Sequence, residues 1–260
     1  MNTGSYIGFV DSDDWIEKDM YEILYNNIKK YDANISMCGY SVVFDKNNST
    51  EKKPLNPGFT KIIEGKDLLK FNLDIPDGND AADLIYKITD AVWNKLYKRF
   101  LFHEIRFPPK KIYEDVFTTY KLLDNAKTMV FCSERKYNYL QREDGICGQP
   151  LSIKCFDYAD ANIMRYNYIK EAYPDMEPLC RKTMLMSILK TLYKIILYNG
   201  TVQYDEKIDE LLDIIKKHDT NSCDIMEDET KLLDLLARDK KKGIMAMRLF
   251  KNKNKVADRL

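Results

Sequence analysis

The spacing of apolar and polar residues divides the chain into two regions of different character. Up to about residue 150, short apolar runs typical of strands alternate with stretches whose apolar residues recur every three or four positions, as in helices. The predicted strands are 5–10, 33–44 as a strand pair or one long strand, a short run after residue 58, 127–132 and 136–144. The predicted helices are 19–31, a short one ending near residue 73, 91–102 and 114–126. Beyond residue 150 the pattern is helical at about 152–172, 178–198, 205–218 and 228–250. We therefore expect an α/β domain over 1–150 and an all-helical C-terminal region over 151–260.

The composition is that of a globular protein with a reduced interior. Hydrophobic residues make up 45% of the 260 residues, and acids and bases balance at 41 each, so no overall charge would attract nucleic acid. Six cysteines are scattered without a C-x-x-C pair, and there are two histidines, so we expect reduced core cysteines of a cytoplasmic protein and no zinc site. Abundant Lys, Asn, Ile and Asp indicate an AT-rich bacterial genome. We expect neither a signal peptide nor a membrane-spanning helix.

A dense acidic cluster follows the first predicted strand, in the stretch YIGFVDSDDWI that begins at Tyr6. The acids are Asp11, Asp13 and Asp14. In open α/β folds, ligands bind beyond the carboxyl ends of strands. Carboxylates crowded there repel one another unless a hard cation such as Mg²⁺ or Mn²⁺ lies between them, and such a cation would also hold a substrate phosphate. The alternative is a solvated acidic turn before the following helix.

Two other kinds of acidic loop fit this stretch poorly. A calcium-binding loop needs Asp or Asn and then Gly where this chain has Trp15 and Ile16. A haloacid-dehalogenase-type phosphatase also places D-x-D after an apolar strand, but it usually has Thr or Val at the position of Trp15. A hydrolase of that type is therefore the weaker interpretation.

The segment GSYIGFVDSDDWI closely resembles the D-x-D segment of family 2 glycosyltransferases, which have the GT-A fold. Further segments resemble the acceptor side of the bacterial polysaccharide members of that family. They are WNKLYKRFLF at 93–102, IRFPP at 105–109, IYEDVFTTYKLL at 112–123 and YNYLQREDGI at 137–146. The motifs come in the order of the family and together cover roughly residues 4–148. The resemblance implies a GT-A-like, Rossmann-related mixed sheet followed by an all-helical C-terminal extension.

The resemblance implies an inverting, metal-dependent transfer of sugar from a nucleoside diphosphate to an acceptor hydroxyl, with Mn²⁺ or Mg²⁺ as cofactor. On the donor side it assigns Asp11 to the ribose or sugar and Asp13 to the metal, with Asp11 close to that metal. Asp14 matches a frequent third acid, and Arg142 would bind the diphosphate. Arg142 and its neighbour Gln141 could equally form a surface ion pair.

On the acceptor side, the resemblance makes Asp115 the general base, beside Glu114. We expect the helix start to keep this carboxylate ionised. Both acids could instead be favourable residues of a first helical turn. Trp93, Asn94 and Lys95 would bind the acceptor, whereas the alternatives are a core aromatic at Trp93 and solvated neighbours at the other two positions.

The motif lies unusually near the start of the sequence, because only about ten residues precede Asp11. Members of the family place a βαβ-type half with the nucleotide-base pocket before it. We therefore expect an N-terminally truncated domain in which the strand at 5–10 has an exposed edge, and an oligomer or a missing N-terminal half as partner. The chain alone would then be weakly active or inactive. The alternative function is a non-catalytic binding or assembly module derived from such an enzyme.

The C-terminal stretch at 238–255 interleaves basic and apolar residues, RDKKKGIMAMRLFKNKNK. A basic amphipathic helix can lie on an anionic membrane surface, which would suit a glycan or lipid-linked acceptor on the inner face of the cell membrane. The alternative is a helix that packs its apolar face on the preceding helices.

Overall fold

The computed structural model describes residues 4–44, 49–51, 59–73, 88–141, 151–220 and 224–253. The chain forms two compact units. The first contains Met1–Pro109 and Glu114–Gln149, and the second contains Lys110–Tyr113 and Pro150–Leu260.

The described residues of the first unit form a mixed sheet of seven strands. They are β1 (Tyr6–Gly8), β2 (Trp15–Ile16), β3 (Ile35–Phe44), β4 (Ser49–Glu51), β5 (Thr60–Glu64), β6 (Lys95–Lys98) and β7 (Thr128–Gln141). The strand order is β1-β6-β3-β7-β2, with β4 paired to β3 and β5 paired to β7. The two long strands β3 and β7 are parallel, and every other pair is antiparallel. The predicted α/β class with a mixed sheet is confirmed.

Three helices accompany the sheet in the described part of this unit: α1 (Met20–Tyr31), α2 (Asp67–Leu73) and α3 (Thr119–Asn125). The apolar residues of α1 recur four positions apart at Met20, Leu24 and Ile28, and all three are buried against the sheet. Cys38 of β3 and Tyr137 of β7 belong to the same core cluster. The helix predicted at 19–31 is therefore confirmed, because its apolar stripe covers one face of the sheet.

The prediction of a helix at 91–102 is wrong. This segment forms a turn, then β6, then a short 3-10 helix at Arg99–Phe102. Strand β6 is paired with β1 on one side and with β3 on the other. Hydrogen bonds to two distant strands decide its conformation, and local spacing does not reveal them.

The strands predicted at 127–132 and 136–144 are one strand, β7. Its pairing with β3 shifts register between Cys38 and Gly39, where the partners change from Cys132 to Arg135. The irregularity places Ser133 and Glu134 outside the regular register, and it explains why the sequence shows two apolar runs.

The second unit is helical throughout its described part. Its helices are α4 (Asp157–Ala172), α5 (Glu177–Leu197), α6 (Asp205–Lys216), α7 (Glu227–Arg238) and α8 (Lys240–Lys253), with short 3-10 helices at Ile153–Phe156 and Pro174–Met176. The predicted helical character is confirmed, although the helix predicted at 228–250 is interrupted at Asp239. No helix in the described residues is both long enough and apolar enough to span a bilayer.

The four cysteines that the structure describes are buried and unpaired, as predicted: Cys38, Cys132, Cys155 and Cys180. Burial raises the pKa of the Cys38 thiol to about 12, so it behaves as an apolar core side chain. Cys147 and Cys223 lie outside the described residues.

Candidate active site

The acidic cluster forms a tight turn, called here the acidic turn, at residues 11–14 between β1 and β2. The Asp14 amide donates a 3.2 Å hydrogen bond to the carbonyl oxygen of Asp11. Asp11 and Asp13 are exposed, whereas Asp14 is partly buried. The turn is anchored on its far side because β2 pairs Ile16 with Tyr137 of β7.

The hydroxyl of Tyr137 holds both ends of the acidic turn. It accepts a 3.1 Å hydrogen bond from the Asp11 amide and donates a 2.7 Å hydrogen bond to Asp14 Oδ2. The Leu140 amide donates to Asp14 Oδ1 at 2.8 Å. Both carboxylate oxygens of Asp14 are therefore engaged by β7, while the carboxylates of Asp11 and Asp13 lie at the surface.

The charges around Asp11 link the acidic turn to the second acidic segment. Partial burial raises the pKa of the Asp11 carboxyl, and the negative charges of Asp14, Asp13 and Glu114 raise it further. The charge of Glu114 has the smallest of these effects, and it puts the second acidic segment within electrostatic reach of the acidic turn. Carboxylates grouped in this way attract cations.

The second acidic segment precedes a helix and is not its first turn. Residues 114–118 form turns, and α3 begins at Thr119. Glu114 is exposed, whereas Asp115 is partly buried, with its Oδ1 accepting a 2.8 Å hydrogen bond from the Val116 amide. The carbonyl oxygen of Asp115 accepts hydrogen bonds from the amides of the two threonines at 118 and 119.

The expectation that a helix start keeps Asp115 ionised is wrong. Burial raises the pKa of this carboxyl to about 6, and the negative charge of Asp90 adds to the effect. The Val116 amide and the ammonium of Lys95 act in the opposite direction. The result is a carboxyl that is largely ionised at neutral pH and also able to hold a proton.

Lys95 and Asn94 lie inside the protein, at 0% and 2% exposure. Lys95 Nζ donates to the Thr89 carbonyl oxygen at 3.1 Å, to the Ala91 carbonyl oxygen and to Asn94 Oδ1 at 2.9 Å. Asn94 Nδ2 donates to the Cys38 carbonyl oxygen at 2.7 Å. The expected acceptor contacts do not suit these positions, because both side chains are directed to internal partners.

The buried ammonium lies within electrostatic reach of the general-base candidate. Burial lowers the pKa of Lys95 to about 7, while the charges of Asp90, Cys38 and Asp115 act to raise it. Lys95 donates to carbonyl oxygens of the segment 89–91. This segment is also hydrogen-bonded to the start of α3, because Thr119 Oγ1 donates a 2.6 Å hydrogen bond to the Asp90 carbonyl oxygen. Lys95 therefore supports the segment that carries Asp115.

Trp93 lies in a stack of aromatic rings. Its indole is stacked on Tyr137 with ring centroids 4.2 Å apart and on Tyr139 at 5.6 Å, and Tyr40 packs edge-on at 5.1 Å. The indole keeps part of its surface exposed. Gln141 is exposed at the end of β7, and Arg142 lies outside the described residues.

The acidic turn suits a cation whose coordination is completed by oxygen atoms of a bound substrate. Among the residues that the structure describes, no three His, Cys, Asp or Glu side chains converge as they do in a metal site made by protein alone. Asp11 and Asp13 nevertheless supply hard oxygen ligands at the surface. Mg²⁺ is commonly held by one or two carboxylates together with substrate phosphates and water. The donor set therefore suits a cation bound with a phosphorylated ligand.

Comparison with known proteins agrees with the resemblance seen in the sequence. Residues 1–106 match the sequence model of Glycosyl transferase family 2. Glycosyltransferase GlyA of Streptococcus pneumoniae serotype 4 is 28% identical over 144 residues, which are 55% of this chain and 20% of that protein. Glycosyltransferase GlyG of the same organism is 26% identical over 147 residues, which are 55% of this chain and 46% of that protein. The chain thus spans from a fifth to about half of these relatives.

Solved structures share the fold. The structure of S. aureus TarS 1–349 superposes with a TM-score of 0.61 at 17% identity, over 97% of this chain and 68% of TarS 1–349. The same protein in complex with UDP-GlcNAc gives a TM-score of 0.62 at 18% identity, over 95% of this chain and 66% of that chain. The matching segment at 1–106, the glycosyltransferase relatives and the shared fold together support a family 2 glycosyltransferase, a transferase with a GT-A-like α/β fold.

Proposed function

We propose that this chain transfers a sugar from a nucleoside diphosphate sugar to an acceptor hydroxyl, with inversion, in the synthesis of a bacterial surface polysaccharide. The observation that carries the proposal is that Glu114 lies within electrostatic reach of both Asp11 and Asp115, because its charge raises the pKa of each carboxyl. The exposed carboxylates of Asp11 and Asp13 suit a cation and a diphosphate, and the partly buried carboxyl of Asp115 suits proton transfer.

On the donor side, Asp13 and Asp11 would hold Mn²⁺ or Mg²⁺, which when bound neutralises charge on the departing diphosphate. Asp14 takes a positioning role in this proposal, because its oxygens are engaged by Tyr137 and Leu140. UDP-sugars are the first donors to test, since S. aureus TarS of the same fold was solved with UDP-GlcNAc. Arg142 stays a proposed contact of the diphosphate.

On the acceptor side, Asp115 would act as the general base. The Val116 amide holds Oδ1, so Oδ2 is the atom that we assign to receive the proton. As the acceptor oxygen bonds to the anomeric carbon, its proton passes to Asp115 and the diphosphate leaves from the opposite face. This single displacement inverts the configuration. A carboxyl with a pKa of about 6 is suited to the task, because it is ionised at neutral pH.

Trp93 is the acceptor-side residue that best keeps its proposed role, because part of its indole is exposed beside the aromatic stack. Aromatic faces of this kind offer an apolar platform with a polar edge. Asn94 and Lys95 would support it from within the protein.

We place the chain in the cytoplasm, with its C-terminal helix α8 as a peripheral contact to the membrane. Lys240 of this helix is paired with Asp205 and Asp209 of α6, and Met247 is buried. Met245 and Leu249 are more than half exposed, so an apolar edge of the helix would remain for a lipid surface or a lipid-linked acceptor.

The proposal is tested by incubating the chain with a panel of UDP-sugars, Mn²⁺ and a lipid-linked or glycan acceptor, with UDP release and the product anomer as readouts. We expect Asp115→Asn to lower the rate by about 10²–10⁴-fold, which is the usual range for a general base. Asp124→Asn, a carboxylate of α3, is the matched control. Unchanged transfer by Asp115→Asn would remove the base assignment, and a chain that binds donor without transfer would be a non-catalytic binding module.

A further inference from the structure

We propose that Tyr137 is a positioning residue that fixes the acidic turn on the donor side and joins it to the indole of Trp93 on the acceptor side. This inference rests on the proposed function for the meaning of the two sides. Its structural part, the fixing of the turn, stands on contacts that can be measured separately.

The hydroxyl of Tyr137 acts both as a hydrogen-bond acceptor and as a hydrogen-bond donor. A tyrosine hydroxyl can accept one hydrogen bond while it donates another. Here it accepts from the Asp11 amide at 3.1 Å and donates to Asp14 Oδ2 at 2.7 Å. One atom thus connects the first residue of the acidic turn, Asp11, with the last, Asp14. The exposed carboxylates of Asp11 and Asp13 belong to the same turn.

The hydrogen bond from the Tyr137 hydroxyl to the carboxylate of Asp14 is short, at 2.7 Å. A hydrogen bond from a neutral donor to a carboxylate is stronger than one between two neutral groups.

The ring of Tyr137 makes the second connection. It is 0% exposed and stacks on the indole of Trp93 with centroids 4.2 Å apart and an interplanar angle of 19°. The side chain of Tyr137, which is hydrogen-bonded to the acidic turn, therefore also packs against the partly exposed Trp93. A shift of the turn would have to be accommodated by this stack, because the ring of Tyr137 is fully buried in a packed core.

Loss of the hydroxyl alone is expected to have a local effect. The backbone pairing of Tyr137 with Ile16 and the stacking of its ring do not need the oxygen. In Tyr137→Phe the Asp11 amide loses its hydrogen bond to the hydroxyl, and Asp14 loses one hydrogen bond and keeps the one from the Leu140 amide. The acidic turn becomes mobile while the sheet stays intact.

The experiment compares Tyr137→Phe with Tyr40→Phe. Tyr40 also packs against Trp93, edge-on at 5.1 Å, so its substitution removes a hydroxyl from the same stack but leaves the hydrogen bonds of the acidic turn in place. The first readout is hydrogen exchange of the Asp11 amide, followed by NMR without any ligand. The second is the affinity for UDP in the presence of Mn²⁺, measured by calorimetry.

In Tyr137→Phe we expect the Asp11 amide to exchange about tenfold faster or more, and UDP with Mn²⁺ to bind about tenfold more weakly, the size expected for losing a hydrogen bond to a charged group. Tyr40→Phe should match the wild type in both. Asp14→Ala should also weaken binding, and the loss in the double variant should be smaller than the sum of the two single losses, because both substitutions remove the hydrogen bond between Tyr137 and Asp14.

The outcomes separate the two proposals. If the wild type binds no UDP with Mn²⁺, the proposed function fails, and the exchange of the Asp11 amide still decides whether Tyr137 fixes the turn. If exchange in Tyr137→Phe equals that in the wild type, the positioning role is overturned. Faster exchange with unchanged UDP affinity would overturn the link between the turn and donor binding.

Discussion

Asn94 and Cys38 exchange hydrogen bonds across the first unit: Asn94 Nδ2 donates to the Cys38 carbonyl oxygen at 2.7 Å, and the Cys38 amide donates to the Asn94 carbonyl oxygen at 3.0 Å. The exchange joins the turn before β6 to β3 at the irregularity beside Gly39. Asn94 Oδ1 also accepts from the buried ammonium of Lys95. One amide side chain therefore stabilises a strand irregularity and a buried charge together.

Substitution of Asn94 by alanine should lower the free energy of unfolding by about 1–3 kcal/mol, because it removes a hydrogen bond from each of two buried polar groups. The affected groups are the Cys38 carbonyl oxygen and the Lys95 ammonium. Urea denaturation followed by circular dichroism measures the change. Asn125→Ala, at an exposed residue that ends α3, is the control and should change stability by about 0.5 kcal/mol or less. Equal stabilities of the two variants would contradict the role of Asn94.

The buried carboxyl of Asp115 should make stability fall as the pH rises from about 4 to about 6. Burial raises its pKa in the folded state from 3.8 to about 6, so between these values the folded state binds more protons than the unfolded state. Stability falls with pH wherever the folded state holds the extra proton. Asp115→Asn should remove this contribution.

The measurement is the free energy of unfolding of Asp115→Asn minus that of the wild type, followed across this pH range. The difference should grow in favour of the variant as the pH rises. Asp13→Asn replaces an exposed carboxylate and serves as the control. Parallel curves for wild type and Asp115→Asn would show that Asp115 is not the buried, proton-holding group described above.

Gly243 of α8 should resist replacement by alanine, although alanine usually stabilises a helix interior by about 1 kcal/mol relative to glycine. A Cβ at this position would lie 2.7 Å from the Leu236 Cα, a backbone atom of α7 that cannot turn away. We expect Gly243→Ala to lower the stability of the second unit by about 1–3 kcal/mol, as overpacking does.

Thermal unfolding of the full chain, followed by far-ultraviolet circular dichroism, tests this expectation. Lys241→Ala, at an exposed position of the same helix, is the control for helix propensity. A rise in stability for Gly243→Ala would mean that α7 and α8 do not pack as closely as described.

The sequence predicts the helices and strands whose spacing of apolar residues follows from one face buried in the core. The helix α1 and the long strand β3 carry their apolar spacing along the chain, and both lie where expected. The segment at 91–102 was misassigned because β6 owes its conformation to β1 and β3, which are distant in sequence. The start of α3 was placed too early because acids resemble a first helical turn, while here they precede it.

The exposed acids of the candidate site could be predicted from the sequence, whereas the buried residues that hold them in place could not. Asp11 and Asp13 are recognisable from their place after a strand. Burial of Lys95 could not be foreseen, because lysine is rarely fully buried and its acceptors are backbone carbonyl oxygens that leave no trace in the sequence. The hydroxyl of Tyr137 likewise serves partners more than a hundred positions away. A second aromatic at Tyr139 gave a possible signal, since alternate aromatics on a strand share one face.

The most direct test of the proposed donor and base site is paramagnetic broadening of backbone amide signals by Mn²⁺ added together with UDP. Mn²⁺ bound at the acidic turn should broaden the amides of Asp11 and Asp13 and also that of Val116, which adjoins Asp115, and Asp13→Asn should abolish the effect. Broadening confined to the acidic turn, with the Val116 amide unaffected, or broadening that persists in Asp13→Asn, would contradict a shared site for the two acidic segments.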